Sequence, residues 1–235
     1  MTATQQAPSA TRPLHDVRGF WRVLLGVFAP LPFLAKGLWY LLSPVDGDIS
    51  FADDVAAAQA HHGMAALMLA LDVVFCVGLI PATVAVVMVA RRGAPRLAAA
   101  GAFLALLGQL VGFGLLGGPI TPTVATVRYG LGSSDLAGLS DGIENDVFMQ
   151  LSGLLFLVGI VFGLGLLGIA LWRSKAAPAW AGIAILVGAG THPFVPGHIG
   201  QGIGLLVACV GYAGAAMALQ KLPNDAFDLA PARAS

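Results

Sequence analysis

Charge is what this sequence has least of. Asp, Glu, Lys and Arg make up 10% of its 235 residues, where a soluble domain carries about 25%. That shortfall excludes an ordinary cytosolic protein. The 12 basic and 12 acidic residues cancel, which excludes a basic nucleic-acid binder. With 57% of residues hydrophobic, a disordered chain is excluded as well. Cysteine is nearly missing. Cys76 and Cys209 both fall in apolar stretches and read as small buried hydrophobes, with no disulfide framework. There is no P-loop, dinucleotide fingerprint, nucleophile elbow or zincin motif. No lysine lies deep in the last apolar run to suggest a retinal Schiff base. The Trp-Glu motifs of the small membrane-bound terpene cyclases are absent too.

What is present is apolar length. A membrane helix needs about 20 mostly apolar residues. Six segments meet or approach this: 20–42, 64–90, 97–116, 148–172, 177–191 and 199–219. The expected fold is therefore all-α, a polytopic bundle of six transmembrane helices, with the lipid bilayer as its main partner. Residues 1–19 read as a polar N-terminal tail, 20–220 as the membrane domain and 221–235 as a C-terminal tail. The first apolar segment contains Lys36 and lacks a small-x-small site near its end, so it reads as a retained helix rather than a signal peptide. Pro30 and Pro32 predict a kink within it. Gly 31 and Pro 14 are high counts that membrane helices tolerate, because neighbouring helices re-satisfy freed backbone groups.

Charge placement predicts orientation. Arg12, Arg18, Arg22, Arg91, Arg92, Arg96, Arg173, Lys175, Lys221 and Arg233 fall on one side, leaving Arg128 opposite and Lys36 inside the first segment. Positive charge stays inside, so both termini are expected in the cytoplasm. A composition rich in Ala, Gly and Arg points to a GC-rich bacterial genome, hence a bacterial inner (plasma) membrane. The opposite loops carry Asp46, Asp48, Asp53, Asp54, Asp135, Asp141, Glu144 and Asp146. Trp21, Trp172 and Trp180 fall at the inner interface and Trp39 and Tyr40 at the outer one, as aromatic belts do. Ser50-Phe51-Ala52-Asp53 is a capping-box-like start, so the second helix is expected to begin outside the membrane and enter it near His62. The long loop 118–147 has room for a short surface helix. Gly108-x-x-x-Gly112, Gly159-x-x-x-Gly163 and Gly200-x-x-x-Gly204 allow close helix packing, within the bundle or across a homodimer.

Three polar residues stand where they are costly. Asp72 is ~15 Å below the outer end of the second helix, Lys36 ~9 Å below that of the first, and Gln109 lies mid-way along the third. An ionised side chain in the bilayer needs a partner or water, and intramembrane ionisable groups are functional by default. These residues predict a Lys36–Asp72 ion pair with Gln109 as a third member. The pair reads either as a lock between two helices or as a ligand site in which Asp72 takes or gives a proton. His61, His62, His192 and His198 all map to the outer side, where imidazoles suit a metal ion or haem iron. Between Pro178 and Pro193 there are fourteen residues, ~21 Å of helix, so the fifth segment is short. Short or Pro-interrupted spans mark binding sites in transporters.

The order of these features resembles a known family. An acidic loop precedes His61-His62-Gly63 and Asp72. A basic turn and a long outer loop follow, then Ala170-Leu171-Trp172-Arg173-Ser174, Pro178 and Gly182. Over residues 20–220 this is similar to a widespread family of uncharacterised six-helix bacterial membrane proteins, frequent in actinobacteria. The resemblance implies the fold and no activity. The leading expectation is binding or translocation of a small lipophilic or cationic molecule. Its pocket would lie in the outer half, between the first, second, third and fifth helices. The alternatives are an enzyme on a lipophilic substrate, with Asp72 as acid or base and the histidines as shuttles or metal ligands, and a structural or regulatory subunit.

Overall fold

The computed structural model describes residues 16–44, 50–115, 120–191 and 194–228. Regular structure in these residues is helical throughout. The helices are α1 (Arg18–Phe28), α2 (Leu31–Leu42), α3 (Phe51–Ala60), α4 (His62–Ala90), α5 (Pro95–Leu115), α6 (Ile120–Tyr129), α7 (Ser133–Glu144), α8 (Val147–Ser174), α9 (Ala179–Thr191), α10 (His198–Gln220) and α11 (Asn224–Phe227). Five stretches among the described residues are long and apolar enough to cross a membrane: Arg18–Leu42, His62–Ala90, Pro95–Gly112, Val147–Ser174 and His198–Gln220. The fifth expected segment, 177–191, forms α9, which is apolar but has 13 residues, ~20 Å of helix against a hydrocarbon core of about 30 Å.

Local chemistry sets the helix ends. The first span is broken into α1 and α2 at Ala29 and Pro30, the expected kink, because prolines 30 and 32 have no N–H to continue the ladder. Ser50 caps α3, its hydroxyl accepting from the Asp53 N–H at 3.2 Å. The expected continuity from α3 into the membrane is not observed. His61 leaves helical geometry, at φ −131° and ψ 54°, so α3 stands apart and the span starts at His62. Asp146 caps α8, accepting from the Phe148 and Met149 N–H groups at 2.9 and 3.1 Å. The 118–147 loop holds two short helices, α6 and α7, rather than one.

The spans pack in the order α5, α8, α9, α10, α2, with α4 against α2, α5, α8 and α10. The broadest interface is α5 on α8. Here Gly108 and Gly159 meet backbone to backbone: a Cβ on Gly159 would lie 2.6 Å from the Gly108 Cα. Gly163 faces the Ala105 backbone in the same way, and Gly112 faces the Phe156 ring. Two of the glycine motifs therefore pack against each other's helices inside one chain. Of the two expected placements, within the bundle or across a homodimer, these contacts are the first. The core is completed by large buried side chains including Tyr212, Phe33, Leu164, Leu167 and Leu171.

The bundle has two chemically distinct ends. At the acidic end α3, α6 and α7 pack together, with the Thr123 hydroxyl donating to Asp54 at 2.8 Å. At the basic end residues 221–228, expected to be tail, fold back as a strap. Arg22 donates to the Leu222 carbonyl at 2.6 Å and to Asn224 at 2.9 Å. Arg91 donates to the Phe227 carbonyl at 2.8 Å, and Arg22 covers the Phe227 ring at 5.1 Å. Arg18 grips Asp228 through two nitrogens at 3.1 and 2.6 Å. Three of the basic residues that suggest orientation thus also pin the C-terminal strap to α1 and to the α4–α5 turn.

Candidate functional site

Helix periodicity builds the site. On α2, Lys36, Trp39 and Tyr40 are spaced i, i+3, i+4, and on α4 Asp72 and Phe75 are spaced i, i+3, so each set shares a face. The α2–α4 contact brings the two faces together. Lys36 Nζ donates to Asp72 Oδ1 at 2.6 Å. The predicted ion pair is therefore present, and it joins two membrane-capable spans.

The ammonium also faces three aromatic rings. Its nitrogen lies 4.0 Å from the Trp39 ring centre, 5.4 Å from Tyr40 and 5.8 Å from Phe75. Each ring face carries negative electrostatic potential and attracts a cation within about 6 Å. His198, at the start of α10, packs its ring on Trp39 at 5.7 Å and on Tyr40 at 5.2 Å. Carboxylate and rings together form a cage for a positive charge, with α10 as its third wall. The cage is not sealed: the Lys36 and Asp72 side chains keep 18% and 12% of their surface exposed.

The other predicted residues lie elsewhere. Gln109 is not a third member of the pair. Its Nε2 donates to the Thr83 hydroxyl at 2.8 Å, deep between α5 and α4, with both residues almost fully buried. Thr83 is eleven residues beyond Asp72, ~16 Å along α4. α5 packs on α8 and α4, and α10, packed on α2 and α4, takes the place expected for the third and fifth helices at the site. His61 and His62 are exposed at the α3–α4 break. Among the described residues no group of three His, Cys, Asp or Glu side chains is placed to hold a metal ion, so His61, His62 and His198 do not converge. His192 lies outside the described residues.

Sequence reasoning assigned Trp39 and Tyr40 to an interfacial belt and overlooked Phe75. The signal was available in the i+3 and i+4 spacing from Lys36 and the i+3 spacing from Asp72. The strap was overlooked because its contacts join residues some two hundred positions apart, such as Arg18 with Asp228. Comparison with family models, with curated proteins and with solved structures finds no match to this chain. Function therefore has to be argued from the site.

Proposed function

We propose that this chain is a multi-pass protein of a bacterial inner membrane, of the six-helix type it resembles, with both termini cytoplasmic. In this reading α9 is the fifth of six membrane segments, and the acidic end of the bundle faces outward. We further propose that it binds or translocates a small lipophilic or cationic molecule at the Lys36–Asp72 site. The observation that carries this reading is the ion pair itself, mostly buried but not fully sealed. Ions placed within apolar spans cost several kcal/mol unless compensated. Sealing would strengthen the attraction of a pair that only locked α2 to α4, at the cost of stripping both ions of water. This pair is lined by rings and left accessible, which suits a site that exchanges its contents. The enzyme reading has less support, since His61 and His62 stand about three helical turns from Asp72 and His198 meets the site through the Trp39 and Tyr40 rings.

Thermal unfolding in lipid nanodiscs with a panel of lipophilic amines and neutral lipophiles tests the proposal. A ligand at 100 times its Kd stabilises by about 2.7 kcal/mol. Saturable stabilisation of the wild type by a panel member, absent in Asp72→Asn, is the expected result. Shifts that are equal in the two proteins would remove the basis for a site at Asp72.

A further inference from the structure

The same site carries a more specific inference, which rests on the ligand-binding reading. We infer that the cage recognises a primary alkylammonium ion, and that Lys36 is its tethered occupant, displaced when an external ammonium ligand binds. A carboxylate at 2.6 Å and three ring faces at 4.0–5.8 Å surround one –NH3⁺ group. Every one of these contacts is made to the end of the Lys36 side chain. None depends on the group being attached to α2. The lysine side chain is a butylammonium unit, so a free alkylammonium can make the same contacts to Asp72, Trp39, Tyr40 and Phe75.

Displacement is physically balanced. One cation leaves the carboxylate and another takes its place, so the charge inside the span does not change. Lys36 lies six residues before Leu42, the last residue of α2, ~9 Å from the helix end. A long lysine stem can reach toward that interface and keep its charge hydrated. That is the acidic end of the bundle, where Asp53 and Asp54 lie on α3. A tethered competitor weakens binding without abolishing it, which sets a threshold for the ligand.

The test uses n-butylammonium, with butan-1-ol as its uncharged counterpart. Binding is read from Trp39 emission in nanodisc-embedded protein whose other three tryptophans are phenylalanine. Lys36→Met empties the cage while keeping an apolar stem. The expected result is saturable binding of n-butylammonium, and not of butan-1-ol, to Lys36→Met. Wild type binds about tenfold or more weakly, because its own ammonium competes at high effective concentration. Trp39 itself is checked by calorimetric titration: adding Trp39→Leu to Lys36→Met weakens binding about tenfold. Asp72→Asn in the same background abolishes it. The inference is overturned if Lys36→Met gives no saturable response. It is equally overturned if Lys36→Met binds while wild type stays silent at about 100 times that variant's half-saturating concentration, because Lys36 is then a fixture. Should Lys36→Met not fold, wild type alone decides: a saturable response to n-butylammonium and not to butan-1-ol supports displacement, and no response refutes it. If only neutral lipophiles from the panel give Asp72-dependent stabilisation, the ammonium cage is wrong while the ligand site stands.

Discussion

The α5–α8 seam and the α2–α4–α10 junction solve the same problem in opposite ways. At α5–α8 the glycines 108, 159 and 163 bring two backbones into contact and leave no room for side chains. Small residues of this kind let membrane helices gain dispersion and close-range polar contact where no hydrophobic effect acts between them. The second junction also has close approaches, Gly37 to Gly202 and Gly78 to Pro32. Its distinctive content, however, is side chains: an ammonium, a carboxylate and a set of rings. A seam of touching backbones has one arrangement. A seam of long side chains can exchange one for another, and so the site belongs to the second.

The largest effect that would break this contrast is at the first seam. Gly159→Val is expected to cost more than about 3 kcal/mol, because its Cβ meets backbone that cannot yield. The check is loss of monodisperse protein on extraction. Gly153→Ala on the same helix has open space around it. It should be neutral or gain about 0.5–1 kcal/mol from helix propensity. If both substitutions behave alike, the seam is not tight.

At the second junction Lys36→Met and Asp72→Asn should each cost roughly 3 kcal/mol by leaving one charge or dipole uncompensated. The double variant should recover about 0.5–3 kcal/mol of the summed loss, the range expected for side chains in direct contact. Chemical denaturation of the four proteins in mixed micelles measures this coupling. Strict additivity would show that the pair is not energetically joined. A smaller effect sharpens the boundary of the site: Gln109→Leu, distant from the cage, should cost about 1 kcal/mol through its lost bond to Thr83. Ligand-induced stabilisation should be unchanged by it, and a lost ligand response would return Gln109 to the site.

The smallest expected effect concerns the strap. The Arg18 guanidinium, by hydrogen bonding and by charge, holds the exposed Asp228 carboxyl below its ordinary value. A lowered carboxyl stabilises the folded form above its ordinary pKa and loses that contribution as pH falls through the lowered one. Proteolysis of the C-terminal strap should therefore speed up only at acid pH, and Asp228→Asn should remove that pH dependence. A strap equally protected at all pH values in both proteins would show that the ion pair does not hold it.

Much of the fold was legible because a bilayer permits so few solutions. Long apolar runs must be helices, and Pro30, Pro95 and Ser50 mark breaks and starts with known mechanisms. The Lys36–Asp72 pair was legible from depth alone, since two isolated charges in apolar spans need each other. The helix order was not legible, because the glycine motifs identify faces without naming partners. That is why depth alone suggests Gln109 beside the pair, whereas it bonds Thr83, ~16 Å along α4 from Asp72. The aromatic walls escaped notice because Trp39 and Tyr40 satisfy two requirements at once, an interfacial belt and a cation cage. The strap has no periodic signature at all.

The central claim is that the Lys36–Asp72 junction holds something besides its own side chains. Native mass spectrometry of protein released gently from its membrane tests it directly. With a lipophilic amine added in enough excess to displace Lys36, the account predicts a stoichiometric adduct on the wild type that is missing from Asp72→Asn. A clean polypeptide mass in both, or the same adduct in both, would contradict it and leave the pair as a lock between two helices.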